Sequence, residues 1–136
     1  MFRLLSLLIF KFNGWRIVDS IEYPSKCIVI AAPHTSNWDF LIGRCYSYIQ
    51  RIKAKYLIKS ELFYPILGYI ISLNGGIPVY RSEKHDVVNQ IVKLFNGSDS
   101  LILGIAPEGT RKRVLKWKTG FYHIALKSNV PIVLCK

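Results

Sequence analysis

Two side chains in the stretch AAPHTSNWDF, residues 31–40, have the types needed to move a proton: His34 and Asp39. Imidazole changes charge between about pH 5 and 8, and a carboxylate that accepts one ring N–H leaves the other nitrogen free as a base. In a continuous helix, residues five apart lie about 140° out of register and would not meet. Here the apolar run CIVIAA comes first, Pro33 keeps the residue before it extended, and Ser36 or Asn37 can cap a helix beginning at Trp38. The pair therefore straddles a strand-to-helix turn, where the chain folds back and the two groups can approach. A plainer account fits the same letters. Ser36-x-x-Asp39 is a capping-box pattern, and an acid in a first helical turn is favoured by the helix dipole.

Two further stretches carry reactive types. GIPVYR, residues 76–81, runs from Gly76 to Arg81 and puts a guanidinium at the carboxyl edge of a strand, the side chain best shaped for bidentate phosphate contact. IAPEGTRKR, residues 105–113, echoes the first stretch: apolar strand, small residue, Pro107, polar loop. Glu108, Gly109 and Thr110 offer a carboxylate, backbone N–H groups and a hydroxyl in one tight loop, and Arg111 adds a charged fork. A solvated arginine and a turn with a solvated Glu–Arg pair are the ordinary explanations of the two stretches. Arg111, Lys112, Arg113, Lys116 and Lys118 then surround Trp117 without an acid. That is either a solvated basic loop or a patch for anionic lipid, with the indole at the interface and each cation worth about 1 kcal/mol there. No Walker-type loop, GxSxG elbow or His/Cys metal cluster occurs; Cys27 and Cys45 read as core, and His85 and His123 as structural.

The elements that must position these groups alternate. WRIVDSIEY (15–23), KCIVIAA (26–32), RIKAKYLIK (51–59), GIPVY (76–80), LILGIA (101–106) and VPIVLC (130–135) read as strands. Residues 51–59 alternate strictly, with Arg51, Lys53 and Lys55 on a basic face. Helical spacing links Leu41, Ile42, Cys45 and Ile49, and again Val87, Val88, Ile91, Leu94 and Phe95; residues 119–128 form another helix. SELFYPILGYIISLNG, 60–75, predicts a helix capped by Ser60, broken near Pro65 and Gly68, and apolar enough to be either deeply buried or in contact with lipid. Alternating strands and helices, with strands apolar on both faces, predict an α/β single domain with a mostly parallel central sheet flanked by helices. In such sheets ligands sit beyond the carboxyl ends of the strands, where all three polar loops fall.

Composition narrows the partners. The chain has 136 residues, the length of one domain, and is 51% hydrophobic with mean hydropathy +0.24. Its nineteen basic and eight acidic residues give +11, spread evenly over both halves. That charge favours anionic partners: phosphorylated substrates, acidic head groups or nucleic acid. Three cysteines without metal or disulfide spacing fit reduced thiols in a cytosol-facing protein. MFRLLSLLIFKF is too short to span a bilayer, which takes roughly 20 residues, and lacks a signal-peptide cleavage site. Residues 1–14 read as an interfacial membrane-associating segment or, equally, as a helix packed on its own domain. The remaining 15–136 form the α/β domain, which ends on a strand without a closing helix and is expected to be incomplete at its C-terminus.

Taken together, HTSNWD, GIPVYR, APEGTR and VPIV resemble the four ordered motifs of the glycerolipid acyltransferase family, the lysophosphatidate and glycerol-3-phosphate acyltransferases. The resemblance runs from about residue 26 to the end, and KSELFYPILGYIISLNG is similar to the family's segment between the first two motifs. It implies that His34 is the general base oriented by Asp39, and that Arg81 holds the acceptor's phosphate. It also implies that Glu108 and Gly109 bind acceptor with support from Arg111, and that Thr110 of the same motif and Gly76 of GIPVYR belong to the substrate-binding set. Leu134 replaces a proline common in the last motif, and the family's usual C-terminal portion is missing. The implied reaction moves a fatty acyl group from acyl-CoA or acyl carrier protein to a hydroxyl of a glycerol-phosphate or lysophospholipid-type acceptor. The thioester is a co-substrate and no cofactor or metal is expected. A base suffices because the thioester is already activated, and such bases contribute about 10²–10⁴-fold.

The expected location is the cytoplasmic face of a membrane, peripheral or monotopic, on an anionic surface. The main rival is a non-catalytic peripheral membrane protein with a degenerate or truncated acyltransferase fold. Nucleic-acid binding is disfavoured, because the aromatics sit inside apolar patterns rather than among the basic residues.

Overall fold

The structure, a computed structural model, describes residues 2–18, 22–80, 86–110 and 112–135. Helix α1 (Phe2–Phe12) precedes strand β1 (Lys26–Ala31), α2 (Asn37–Ile49), β2 (Ala54–Lys59), a 3₁₀ turn (Ser60–Leu62) and α3 (Pro65–Leu73). Strand β3 (Gly76–Val79), α4 (Asp86–Asn96), β4 (Leu101–Ile105), α5 (Gly120–Ser128) and β5 (Ile132–Cys135) complete the order. The five strands form one wholly parallel sheet in the order β3-β2-β4-β1-β5. The α/β class and parallel sheet expected from the alternation are what the chain adopts.

The order decides the faces. Going from β1 to β2 to β3 the chain moves toward one edge; from β3 to β4 to β5 it moves back. Right-handed crossovers then put α2 and α3 on one face and α4 and α5 on the other. On the α4–α5 face, Ile28, Ile30, Leu101 and Leu103 of the strands pack with Ile91, Phe95 and Ile124 of the helices as a closed core. Full burial of each such side chain is worth about 1.5–3 kcal/mol. The α2 face is less filled. Among the residues of alternate pleat there, Ala31, Ala54 and Gly104 are small, beside Val29, Ile102 and Tyr56.

Three expectations change. The strand predicted over 15–23 does not form in its described part: 15–18 and 22–24 are irregular. Its apolar side chains find helices instead. Trp15 packs edge-on against Phe10 and donates its backbone N–H to the Phe10 carbonyl, and the Tyr23 hydroxyl meets that of Tyr46 on α2 at 3.3 Å. Strand 51–59 begins only at Ala54, because Arg51 takes a left-handed turn at φ +59°. Ser60 caps nothing; it opens the 3₁₀ turn, and α3 starts separately behind Tyr64 with Pro65 at its first position, the place a proline costs a helix least. The break expected near Pro65 is there.

Of the two environments offered for 60–75, deep burial is not the one observed. Ile66, Tyr69, Ile70 and Leu73 are all exposed. Helix α1 packs in part on its own domain. It buries Ser6 and Phe10, stacks Phe2 on Tyr48 at 5.4 Å and packs on α2, while Leu4, Leu5, Leu7, Leu8 and Phe12 remain exposed. No helix among the described residues is long and apolar enough to cross a membrane.

Candidate active site

The loops after β1 and β4 meet at the carboxyl edge of the sheet because their strands are neighbours in register, Ile30 beside Ile105. The contact is direct. The Glu108 carboxylate accepts the backbone N–H of His34 at 2.7 Å, tying the two loops together. This is a fastening role, which sequence reasoning did not assign to Glu108.

On the β1 side, Ser36 caps α2. Its hydroxyl accepts the Trp38 N–H at 3.2 Å, and the Asp39 carboxylate reaches back to the Ser36 N–H at 2.7 Å, a full capping box. The same oxygen, Oδ2, also accepts the Thr35 backbone N–H at 2.6 Å and the Thr35 hydroxyl at 3.2 Å. It lies 3.7 Å from His34 Nδ1. The capping account of the stretch therefore holds, and the same carboxylate also faces the imidazole without the ring N–H bond that the pairing account expects. The distance is an ion-pair distance, longer than a hydrogen bond.

Electrostatics follow from the donors. The Ser36 backbone N–H holds the Asp39 carboxyl below its ordinary value, with the Thr35 bonds and His34 acting in the same direction against a smaller effect of burial. Asp39 is thus a fixed negative charge beside the ring. It can stabilise the imidazolium that forms when the far nitrogen, Nε2, takes up a proton.

On the β4 side, Pro107 is fully buried and its carbonyl accepts the Lys118 N–H at 2.9 Å. Gly109 sits at φ +64°, where a side chain is strained. The Lys118 side chain lies across it, so that a Cβ on Gly109 would come within 2.9 Å of Lys118 Nζ. Lys118 thus brings a cation to the rim beside Gly109. The signal was its place in the basic run, but nothing in the spacing shows that the chain returns over the loop.

His34, Asp39, Gly109 and Thr110 all line a cavity of about 640 Å³ between α2 and the sheet. That is within the ~300–1,000 Å³ common for small-molecule sites. Its sheet wall is Val29, Ala31, Ile102 and Gly104; its helix wall includes Phe40, Gly43 and Arg44. Its lining is mainly apolar, with Tyr23, Arg44, Ser47 and Lys55 among the polar groups. No residue of 60–73 lines it, so the apolar groove next to the site is formed by α2 rather than by that segment. Gly76 is not brought to the rim. It opens β3 level with Tyr56, Gly104 and Val29, where a Cβ would collide with Ile71. Arg81 and Arg111 lie outside the described residues, as does His85. Cys27 and Cys45 are buried free thiols, as the core reading expected, and burial pushes the Cys27 thiol up.

Arg44 was missed. It falls within the helical stripe from Leu41 to Ile49, which sequence reasoning read only for its apolar members.

Comparison with known proteins adds a second line. The family model described as "Acyltransferase" matches residues 16–135. The chain is 30% identical over 125 residues to a 1-acyl-sn-glycerol-3-phosphate acyltransferase of Haemophilus influenzae, covering 87% of this chain and 50% of that protein. It is 28% identical over 126 residues to the protein of that name from Saccharomyces cerevisiae, with 87% and 41% covered. Against that of Escherichia coli it is 27% identical over 137 positions, with 96% and 54% covered. The chain spans about half the length of these curated relatives. No solved structure matches.

Proposed function

The chain belongs to the glycerolipid acyltransferase family, and from that premise we propose that it transfers a fatty acyl group from a thioester donor to a hydroxyl of a lysophosphatidate-like or glycerol-phosphate acceptor. The observation that carries the reading is the His34–Asp39 pair, 3.7 Å apart, at the mouth of a largely apolar 640 Å³ cavity. In the proposed reaction His34 Nε2 removes the acceptor's hydroxyl proton as its oxygen attacks the thioester carbonyl carbon. The tetrahedral intermediate then expels the thiolate, which takes the proton back from the imidazolium; an ester and a free thiol result. Asp39 supplies the negative charge that the transient imidazolium needs. No enzyme nucleophile is required.

The acceptor's phosphate is assigned to the cationic rim: Lys118 beside Gly109, with Arg81 and Arg111 as the family resemblance implies. Thr110 lies in the same loop, its hydroxyl accepting the Lys112 N–H at 3.3 Å. Coenzyme A and acyl carrier protein are both thioester donors compatible with this scheme. The exposed apolar faces of α1 and α3, on a chain of charge +11, support seating on an anionic bilayer surface, peripheral or monotopic. Free thiols support its cytoplasmic face.

The test is acyl transfer by the intact gene product over a panel of hydroxyl acceptors, with each donor, read as thiol release and ester formation. His34→Ala is expected to lower turnover by about 10²–10⁴-fold. Undiminished turnover in that variant would remove the base assignment. Binding to anionic vesicles without transfer by the wild-type protein would favour the non-catalytic membrane protein instead.

A further inference from the structure

The basic alternation of residues 51–55, RIKAK, lies away from the catalytic loops. Ala54 is level with Ile102, and Ile102 with Cys27, four strand residues before Ala31. At about 3.3 Å per residue, that is roughly 13 Å short of the carboxyl edge where His34 stands. At this amino edge α2 and α3 both end, and a second cavity of about 390 Å³ lies between their ends. Its described lining includes Arg44, Arg51, Lys53 and Lys55 and no acidic residue. Among the described residues the one ion pair joins His34 and Asp39, so no carboxylate neutralises these four cations. Helix C-termini favour cations, which is the ordinary account of such a cluster. Each end carries about half a negative charge, so the two offset about one of the four positive charges.

The polar groups around the cavity are set as donors. Arg44 Nη1 donates to the Ala54 carbonyl at 2.8 Å, Nε and Nη2 to Asn74 Oδ1 at 3.1 and 2.8 Å, and Nη2 to the Tyr48 hydroxyl at 3.2 Å. The Tyr48 hydroxyl in turn donates to Asn74 Oδ1 at 2.6 Å. With Nε, Nη2 and the hydroxyl all aimed at Oδ1, the carboxamide's orientation is fixed. Its Nδ2 group then has no partner among the described residues and can donate into the cavity that Asn74 lines. One N–H of Arg44 Nη1 is likewise unspent. Arg51 and Lys53, both exposed, add long cationic side chains at the rim. Fixed N–H donors under an excess of positive charge are the chemistry that recognises phosphate.

The neighbouring surface decides where that phosphate comes from. Leu73 lines the cavity and is exposed, and with Ile66, Tyr69 and Ile70 it makes an exposed apolar stripe on α3, about 10 Å from Ile66 to Leu73. On the other flank the exposed Phe2 of α1 stacks on Tyr48. A phosphate pocket at the foot of an apolar stripe suits an amphiphile, with its head group in the cavity and its chain along α3. Inorganic phosphate would leave the stripe bare.

We infer that the cavity between the ends of α2 and α3 holds the phosphate of an anionic bilayer lipid, at a site separate from the acceptor's. A phosphomonoester is preferred, since it offers three free oxygens and up to two charges. The choice of a lipid rests on the bilayer seating proposed above; the acyl-transfer reaction does not enter it.

The experiment uses the intact gene product and phosphatidylcholine vesicles containing either phosphatidate or phosphatidylglycerol at matched surface charge, with affinity read by co-sedimentation. Wild type should bind the phosphatidate vesicles about tenfold more tightly, the worth of one further hydrogen bond to a charged oxygen. Asn74→Asp keeps an oxygen for Arg44 and Tyr48 but turns the Nδ2 donor into an anionic oxygen. Arg51→Gly with Lys53→Gln removes two rim cations, the first at φ +59°, where glycine is at ease. Both proteins should unfold thermally near wild type, and in both the preference should fall to about one. A wild-type preference near one would overturn the inference. So would an unchanged preference in both variants, which would move the lipid contact to the His34 rim. Inorganic phosphate that binds wild type but not Asn74→Asp, without any phosphatidate preference, would make the pocket a site for a free anion and overturn the lipid assignment. Vesicle binding that ignores head group leaves the bilayer seating standing, whereas no vesicle binding by wild type would remove both. Acyl transfer on the same proteins judges the enzyme reading alone.

Discussion

Replacing Asp39 separates its two duties. Asp39→Asn removes the charge but leaves an amide oxygen that can accept the Ser36 and Thr35 N–H groups; Asp39→Ala removes both. At 3.7 Å from His34 Nδ1, a unit charge is worth about 1 kcal/mol to an imidazolium in bulk water and about 4 at an effective dielectric of 20. His34 and Asp39 side chains are 28% and 31% exposed, so solvent screens the pair and the lower half of that range applies. A loss of about 1–2 kcal/mol in the transition state is a fall of about 5- to 30-fold in kcat/KM for Asp39→Asn. Its thermal stability should stay near wild type. Asp39→Ala should lose the same activity and also about 0.5–2 kcal/mol of stability, the usual value of a cap. Steady-state kinetics and thermal unfolding on the three proteins decide it. Wild-type kcat/KM in Asp39→Asn, with Asp39→Ala merely less stable, would show that the carboxylate only caps the helix, and the electrostatic argument would be wrong.

Other outcomes follow from single contacts. Because the folded protein holds the Asp39 carboxyl below its ordinary value, its contribution to stability is complete above the unfolded pKa near 3.9 and is lost as pH falls through the folded one. Acid unfolding curves of wild type should therefore steepen below about pH 4 more than those of Asp39→Asn, and superimposable curves would contradict this. Gly109→Ala must adopt φ +64° and displace the Lys118 side chain; acceptor KM should rise more than kcat falls, and unchanged kinetics would deny the loop its role. Phe95→Ala empties a fully buried position in the closed core and should cost about 3–5 kcal/mol in denaturant unfolding; less than about 1 kcal/mol would mean that the α4–α5 face is not the core. Charge substitution on the open faces, Leu5→Asp with Ile70→Asp, should weaken co-sedimentation with anionic vesicles by at least about tenfold, and undiminished binding would exclude α1 and α3 as the membrane-facing surface.

The sequence alone carried the fold class, because periodicity is a local property: two-residue and 3.6-residue patterns marked β1, α2, α4, β4 and β5 close to their observed limits. It also carried the strand-to-helix bend at Pro33–Ser36, since capping chemistry is written in neighbouring residues. It carried the idea that His34 and Asp39 meet across that bend. It could not carry the order β3-β2-β4-β1-β5, which places the Glu108 loop against His34 across 74 positions of sequence. Nor could it show that 15–18 leaves the sheet for α1, since a β-like pattern is satisfied equally by a helix face. The return of Lys118 over Gly109 and the bonds of Arg44 to Ala54 and Asn74 were invisible for one reason. Each depends on a partner distant in the chain, and a side chain's neighbours across the sheet are fixed by crossover handedness and packing rather than by its own spacing.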